Sequence, residues 1–258
     1  MCLINFHLQE HPNYKLVVAA NRDEFYARPT DQAHFWPDAP TLLAGRDLLQ
    51  KGTWLGITKE GRFAALTNIR DLTLERTNKK SRGEIVSGFL KSAVSPETYL
   101  GKISKERHQY AGFNILVGNS EQLFHYNNVE NKLNEVTPGT HSLSNDSLNT
   151  PWPKVKKGKR ELNTYIRQHE KIDPDKLFAI LENEEVAPDI DLPQTGIGIE
   201  LERSLSASFI KTPDYGTRSS TVLLIDSNDQ VTFTERTYVQ GILKQEQVFK
   251  FSLQLPAM

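Results

Sequence analysis

The chain has a single cysteine, which excludes an internal disulfide and a cysteine-rich metal site. Its formal net charge is only −1, so no global field draws it to nucleic acid or anionic lipid. Long apolar runs are missing as well. The run Leu16 to Ala20 is far short of the roughly 20 residues that a membrane span needs, and the opening stretch, MCLINFHLQEHPNYK, has no basic segment followed by an apolar core. The expectation is a cytoplasmic protein with no membrane span and no nucleic-acid partner. The histidines (His7, His11, His34, His108, His125, His141 and His169) show no metal-ligand spacing and no HExxH pattern. Gly196-Ile197-Gly198 lacks the third glycine of a dinucleotide fingerprint. Neither a metal nor a cofactor is expected. With no repeat and no Gly/Ser-rich linker, residues 1–258 read as one domain.

What is present is a strand-rich pattern broken by two blocks of helix. Cys2 to His7 alternates Cys2, Ile4 and Phe6 against Leu3, Asn5 and His7, and Lys15 to Ala20 is β-branched and apolar. Gly52 to Thr58 and Arg62 to Asn68 suggest a second hairpin turning at Lys59-Glu60-Gly61. Helices are expected at Gly83 to Lys91, capped by Ser81, and at about Pro96 to Gln109, capped by Ser95. Strands follow at Gly112 to Gly118, Glu121 to Asn127 and Lys132 to Thr137, then helices at Lys154 to His169 and Pro174 to Asn183. The last strands are Ser206 to Ile210, Ser219 to Asp226, Gln230 to Tyr238 and Gln245 to Leu255. Hairpin-linked strands with helices in two blocks predict an α+β fold, two antiparallel sheets covered by helices. The acidic stretch Glu184 to Gln194 reads as a mobile surface loop. Lys154, Lys156, Lys157, Lys159 and Arg160 read as a solvated basic face.

The first hairpin has a geometric consequence. Paired positions in an antiparallel ladder sum to a constant, so pairing His7 near Lys15 to Val17 sets Cys2 opposite about Ala20 to Arg22. The polar run Asn21-Arg22-Asp23-Glu24 therefore emerges beside the start of the chain. A guanidinium there favours a thiolate, and a carboxylate can hold an α-ammonium or orient a substrate. Cysteine is more often a small buried hydrophobe, but position 2 gives Cys2 another use. Removal of Met1 would expose an α-amine on the same residue, and that amine can act as base for its own thiol.

Several segments together resemble the NRDE family, whose eukaryotic members are called transport and Golgi organisation protein 2. They are Met1-Cys2, Asn21-Arg22-Asp23-Glu24-Phe25, Arg28-Pro29-Thr30, Leu43-Ala44-Gly45-Arg46-Asp47 and Gly52-Thr53-Trp54-Leu55-Gly56. Asn68-Ile69-Arg70-Asp71, Ser81-Arg82-Gly83, the run Phe113 to Gly118, Leu143-Ser144-Asn145 and Pro151-Trp152-Pro153-Lys154-Val155 complete the set. The resemblance implies an N-terminal-nucleophile hydrolase-like fold, a four-layer αββα sandwich. More remotely, the family is similar to N-terminal cysteine amidases acting on bile salts and penicillin V. Carried over by position, the resemblance implies Cys2 as nucleophile and Arg22 with Asp23 as the pair beside it. It also implies Asn68 and Asn145 as oxyanion donors and Arg218 as a distal organiser of the pocket. The amidases separate their Arg and Asp by two residues, whereas here they are adjacent, so Asn21 with Glu24 is an alternative register.

Asn21, Glu24, Trp54 and His141 form the expected substrate-binding set, although a hydrogen-bonded loop histidine is the preferred reading of His141. The implied activity is hydrolysis of a linear, non-peptide C–N bond in a small amide through a Cys2 acyl-enzyme. The competing reading is non-catalytic carriage of a hydrophobic ligand, such as haem, a lipid or an acyl-CoA, in the same pocket. The partner is then a small-molecule amide or that hydrophobic ligand, and a homo-oligomer is left open.

Overall fold

Strands form where alternate side chains are buried on both faces, and the first hairpin shows this at once. In the computed structural model, which describes residues 2–71, 73–74 and 77–254, β1 (Cys2–His11) and β2 (Tyr14–Phe25) pair His7 with Val17 and Cys2 with Arg22. That register lies within the range set by the ladder sum. β3 (Thr30–Trp36) and β4 (Ala39–Asp47) make a hairpin that the sequence pattern left undivided. β5 (Leu55–Thr58) and β6 (Phe63–Asn68) turn at Gly61, whose φ of 83° suits glycine. Then come α1 (Gly83–Leu90), α2 (Pro96–Glu106), β7 (Phe113–Gly118), β8 (Leu123–Asn127), β9 (Lys132–Glu135) and β10 (Gly139–Leu143). α3 (Pro153–Gln168), α4 (Pro174–Leu181) and α5 (Ile199–Ser204) precede β11 (Tyr215–Asp226), β12 (Gln230–Val239) and β13 (Ile242–Ser252).

Two antiparallel sheets result, a six-stranded one in the order β10-β1-β2-β11-β12-β13 and a seven-stranded one running from β3 to β9 in sequence order. Their facing sides share one core, with Ile4, Phe6, Val18 and Ala20 against Leu43, Ile57, Phe63 and Leu116. α1 and α2 cover the outer face of the seven-stranded sheet through Ile85, Phe89 and Leu100. α3 and α4 cover the outer face of the six-stranded sheet, setting Leu162, Ile166 and Phe178 on Val17, Ala19 and Val222. Each such side chain contributes about 1.5–3 kcal/mol when fully buried. The layer order is helix, sheet, sheet, helix, as expected. Among the described residues no helix is long and apolar enough to cross a membrane.

Several local expectations are corrected. Ser206 to Ile210 joins no sheet, because its polar groups are taken up one at a time: the Phe209 N–H by the Asn183 carbonyl, the Ile210 N–H by Thr217 Oγ1 and the Ser208 carbonyl by the Asn21 amide. α1 is preceded by Arg82 with no side-chain cap, whereas Ser95 does cap α2, its Oγ accepting from the Thr98 N–H at 3.3 Å. α2 ends at Glu106 and a short 3₁₀ turn continues to Gln109. The acidic stretch near Asp189 is tied to α5 by a two-pronged ion pair with Arg203. Met1, and Leu255 at the end of the last expected strand, lie outside the described residues.

Candidate active site

Cys2 lies at the start of β1, 7% exposed, on the wall of a cavity of about 480 Å³. Even-numbered residues of β1 face the inter-sheet core and odd-numbered ones face the helices, which directs the thiol inward. Across the ladder Arg22 stands opposite Cys2. Burial pushes the Cys2 thiol up from its ordinary value, and Asp23 adds to this, while the Arg22 guanidinium and the Asp23 backbone N–H act against it. The Cys2 carbonyl accepts from Ser144 Oγ at 2.9 Å, which ties the start of β1 to the segment leaving β10.

The polar run after Ala20 is a continuation of β2, and strand alternation sends its members to different places. Asn21 is fully buried away from the cavity: its amide donates to the carbonyls of Leu181 and Ser208, and its Oδ1 accepts from Ser220 Oγ. Asn21 is therefore not among the cavity residues, contrary to expectation. Arg22 and Glu24 line the cavity, with Arg22 Nη2 4.0 Å from both Glu24 Oε2 and Asp47 Oδ2. Arg28 Nε pairs with Asp47 Oδ2 at 2.5 Å. Burial opposes ionisation of Asp47, but the Arg28 hydrogen bond and charge together with the Gln50 and Leu49 backbone N–H groups outweigh it and hold the carboxyl below its ordinary value. The segments Asn-Arg-Asp-Glu, Arg-Pro-Thr and Ala-Gly-Arg-Asp thus supply one charge network.

Asp23 is 3% exposed and accepts from Thr217 Oγ1 at 2.8 Å. Burial raises its pKa, and nearby Lys154 and Arg22 lower it. Lys154 does not share the solvated basic face expected of it; it is buried, at 3% exposure, while Lys156 and Arg160 remain exposed. Helix periodicity accounts for the split: Lys154 shares the inward face of α3 with Gly158, Leu162 and Ile166.

Asn68 ends β6 and lines the cavity with Trp54. Asn145, expected as the second oxyanion donor, is not on the cavity wall: it is 1% exposed and donates from Nδ2 to the Asn68 carbonyl at 2.9 Å. Arg218 is the extra residue of a β-bulge, since Thr217 pairs with Asp23 and Ser219 with Arg22. Its guanidinium reaches back to the carbonyls of Phe25, Tyr26 and Arg28 and so closes one end of the cavity. His141 is not brought to the cavity. It stacks on Phe6 at 5.3 Å, with Nε2 2.8 Å from the Thr137 carbonyl and Nδ1 3.0 Å from the Asn149 amide.

One further cavity residue, Glu235, was not among those expected from the sequence. Glu235 follows Val231 and Phe233 on the inward stripe of β12, is 4% exposed and accepts from the Ala33 N–H at 2.7 Å. Burial moves it up to about 7, partly offset by the Ala33 hydrogen bond and by Arg22. A carboxylate as third member of an apolar stripe was the available signal. Among the described residues no cluster of His, Cys, Asp or Glu could hold a metal ion.

A cysteine at the head of a strand, set over an antiparallel sandwich with an arginine beside it, places the chain in the N-terminal-nucleophile hydrolase fold. Two solved structures share this fold along nearly their whole length, both of conjugated bile acid hydrolase from Clostridium perfringens. One, a cysteine-to-alanine mutant, has a TM-score of 0.53 at 9% identity, covering 100% of this chain and 99% of that one. The other, an arginine-to-leucine variant, has a TM-score of 0.55 at 10% identity, with the same coverage. The chain belongs to the transport and Golgi organisation 2 family, whose family model matches residues 1–240. It is 37% identical to the human transport and Golgi organization protein 2 homolog over 98% of this chain and 100% of that protein. The bovine homolog is 38% identical over 92% and 93%, and the Drosophila melanogaster protein 30% identical over 92% of each.

Proposed function

We propose that the protein is an amidohydrolase that cleaves a linear, non-peptide C–N bond of a small polar amide through a Cys2 acyl-enzyme. The observation that carries this reading is Cys2 on the wall of a charged cavity, paired across the ladder with Arg22. Removal of Met1 would leave an α-amine on Cys2. That amine takes the thiol proton, and the thiolate adds to the amide carbonyl carbon. The developing oxyanion is met by the Asn68 side chain, which Asn145 positions from behind by donating to the Asn68 carbonyl. As the tetrahedral intermediate collapses the C–N bond breaks, and the ammonium returns its proton to the leaving nitrogen. Water then attacks the thioester with the same amine as base, and the acid leaves as Cys2 regains its proton. Asp23 holds the amine, and Arg22 favours the thiolate.

The lining suits a polar substrate. Arg22, Arg28, Arg82 and Arg218 share the wall with Glu24, Asp47 and Glu235, which offers charges of both signs to the polar groups of a substrate. The bile acid hydrolase fold supports the type of chemistry and not the substrate. The test is a panel of small amides and thioesters given to Met1-free protein. Turnover should fall at least a thousandfold in Cys2→Ala, about 4 kcal/mol in barrier. Equal turnover by that variant would refute the mechanism.

A further inference from the structure

Behind the strand that carries Cys2 lies a charged side chain that the mechanism above does not use. Lys154 is 3% exposed, and its Nζ is buried with no hydrogen-bond partner among the described residues. An ammonium left without a partner in such a place is costly, so a structural role as an ordinary ion pair does not account for it. The neighbouring ion pair is already complete. Arg70 Nη1 donates to Glu202 Oε2 at 2.8 Å, and Thr195 satisfies Glu202 Oε1 through its N–H and Oγ1.

Helix geometry fixes where Lys154 stands. α3 runs alongside β1 in the same direction. Gly158 abuts the Asn5 side chain, and Asn163 accepts from Thr140, the ladder partner of His7. One turn back from Gly158, about 6 Å of helix rise, corresponds to about two strand residues. That sets Lys154 over the first residues of β1, where an α-amine on Cys2 would emerge. The charged and titratable groups around it are Asp23 of β2, Cys2 of β1, Arg70 after β6 and Glu202 of α5.

We propose that Lys154 is a positioning residue for the amino-terminal nucleophile: its positive charge holds Asp23 ionised, keeps the Cys2 α-amine neutral and favours the thiolate. The assignment rests on the Cys2 reading given above. A nearby cation lowers the pKa of both an amine and a thiol, so it makes the base available and the nucleophile reactive together. Burial moves Lys154 itself down to about 8, with Asp23 opposing that shift. The effect should therefore operate below that pH and fade above it.

Cys2 is the only cysteine, so alkylation by iodoacetamide reports it alone and needs no substrate. The experiment follows alkylation rate against pH for Met1-free parent, Lys154→Met and Lys154→Arg. Lys154→Met should react about three- to tenfold more slowly at pH 7, the size of a half- to one-unit shift, and within twofold of the parent at pH 9.5. Lys154→Arg should keep the parent rate at pH 7. An unchanged rate at pH 7, or the same slowing at every pH, would overturn the assignment. If circular dichroism shows Lys154→Met unfolded, Lys154→Arg decides alone. It stays charged at pH 9 and should react at least twofold faster than the parent there, and an equal or slower rate would overturn the assignment. A shifted profile in a protein that hydrolyses no amide supports Lys154 and removes the hydrolase reading. An unshifted profile in a protein that does hydrolyse one removes Lys154 alone.

Discussion

Asp23 and Glu24 are one peptide bond apart and serve different surroundings, because successive side chains of a strand leave opposite faces. Glu24 joins the Arg22 and Arg28 network, whereas Asp23, also on the cavity wall, is buried against Thr217 and close to Lys154. We therefore propose Asp23, and not Glu24, as the carboxylate that serves the nucleophile. Glu235 makes a separate statement about pH. Its folded value of about 7 stands above its ordinary 4.5, so the folded state binds the proton more tightly than the unfolded state. The stability this gives is complete below pH 4.5 and declines as pH rises through about 7, a loss on the order of 3 kcal/mol. Glu235→Gln should remove that decline. Urea denaturation at pH 5 and pH 8 should show the variant gaining on the parent at the higher pH, and an identical pH dependence would exclude this account of Glu235.

At the scale of elements, α3 is held to β1 by a missing side chain. A Cβ at Gly158 would stand 2.5 Å from Asn5 Oδ1 and 2.6 Å from Asn5 Nδ2. Asn5 is fully buried and its Oδ1 accepts from Ser142, so it has little room to yield. Gly158→Ala gains about 1 kcal/mol of helix propensity and loses about 1–3 kcal/mol to overpacking. The melting temperature should fall, and a rise would mean that α3 is not seated as described. The bulge at Arg218 works through the backbone of a loop. Three carbonyls, those of Phe25, Tyr26 and Arg28, share one of its guanidinium nitrogens. Arg218→Gln should speed hydrogen exchange in residues 25–29 and raise KM more than it lowers kcat. Unchanged exchange there would deny Arg218 its organising part.

For the whole molecule, what the sequence disclosed follows from how local each signal is. The first hairpin was legible to within two positions of its register, because one ladder sum governs every pair from Cys2–Arg22 to Leu8–Leu16. Ser95 and Pro96 announced α2 for the same reason, cap and first turn being adjacent. The polar run from Asn21 to Glu24 has the look of a turn because its burial is supplied from far along the chain, by Leu181, Ser208 and Ser220. Lys154 and Glu235 escape notice on similar grounds. Each looks like a surface charge until α3 or β12 is laid against its sheet. His141 errs the other way, its closeness to Asn145 in sequence suggesting a cavity that Phe6 and Thr137 keep it from.

All of these features converge on one residue, and one measurement addresses it: mass spectrometry of the intact protein and its N-terminal peptide after brief exposure to a substrate amide or thioester. The expected result is a chain beginning at Cys2, carrying an acyl group on that residue that disappears on longer incubation and never forms in Cys2→Ala. Full retention of Met1 in a preparation that turns the amide over, or turnover with the acyl group on another residue, would contradict it.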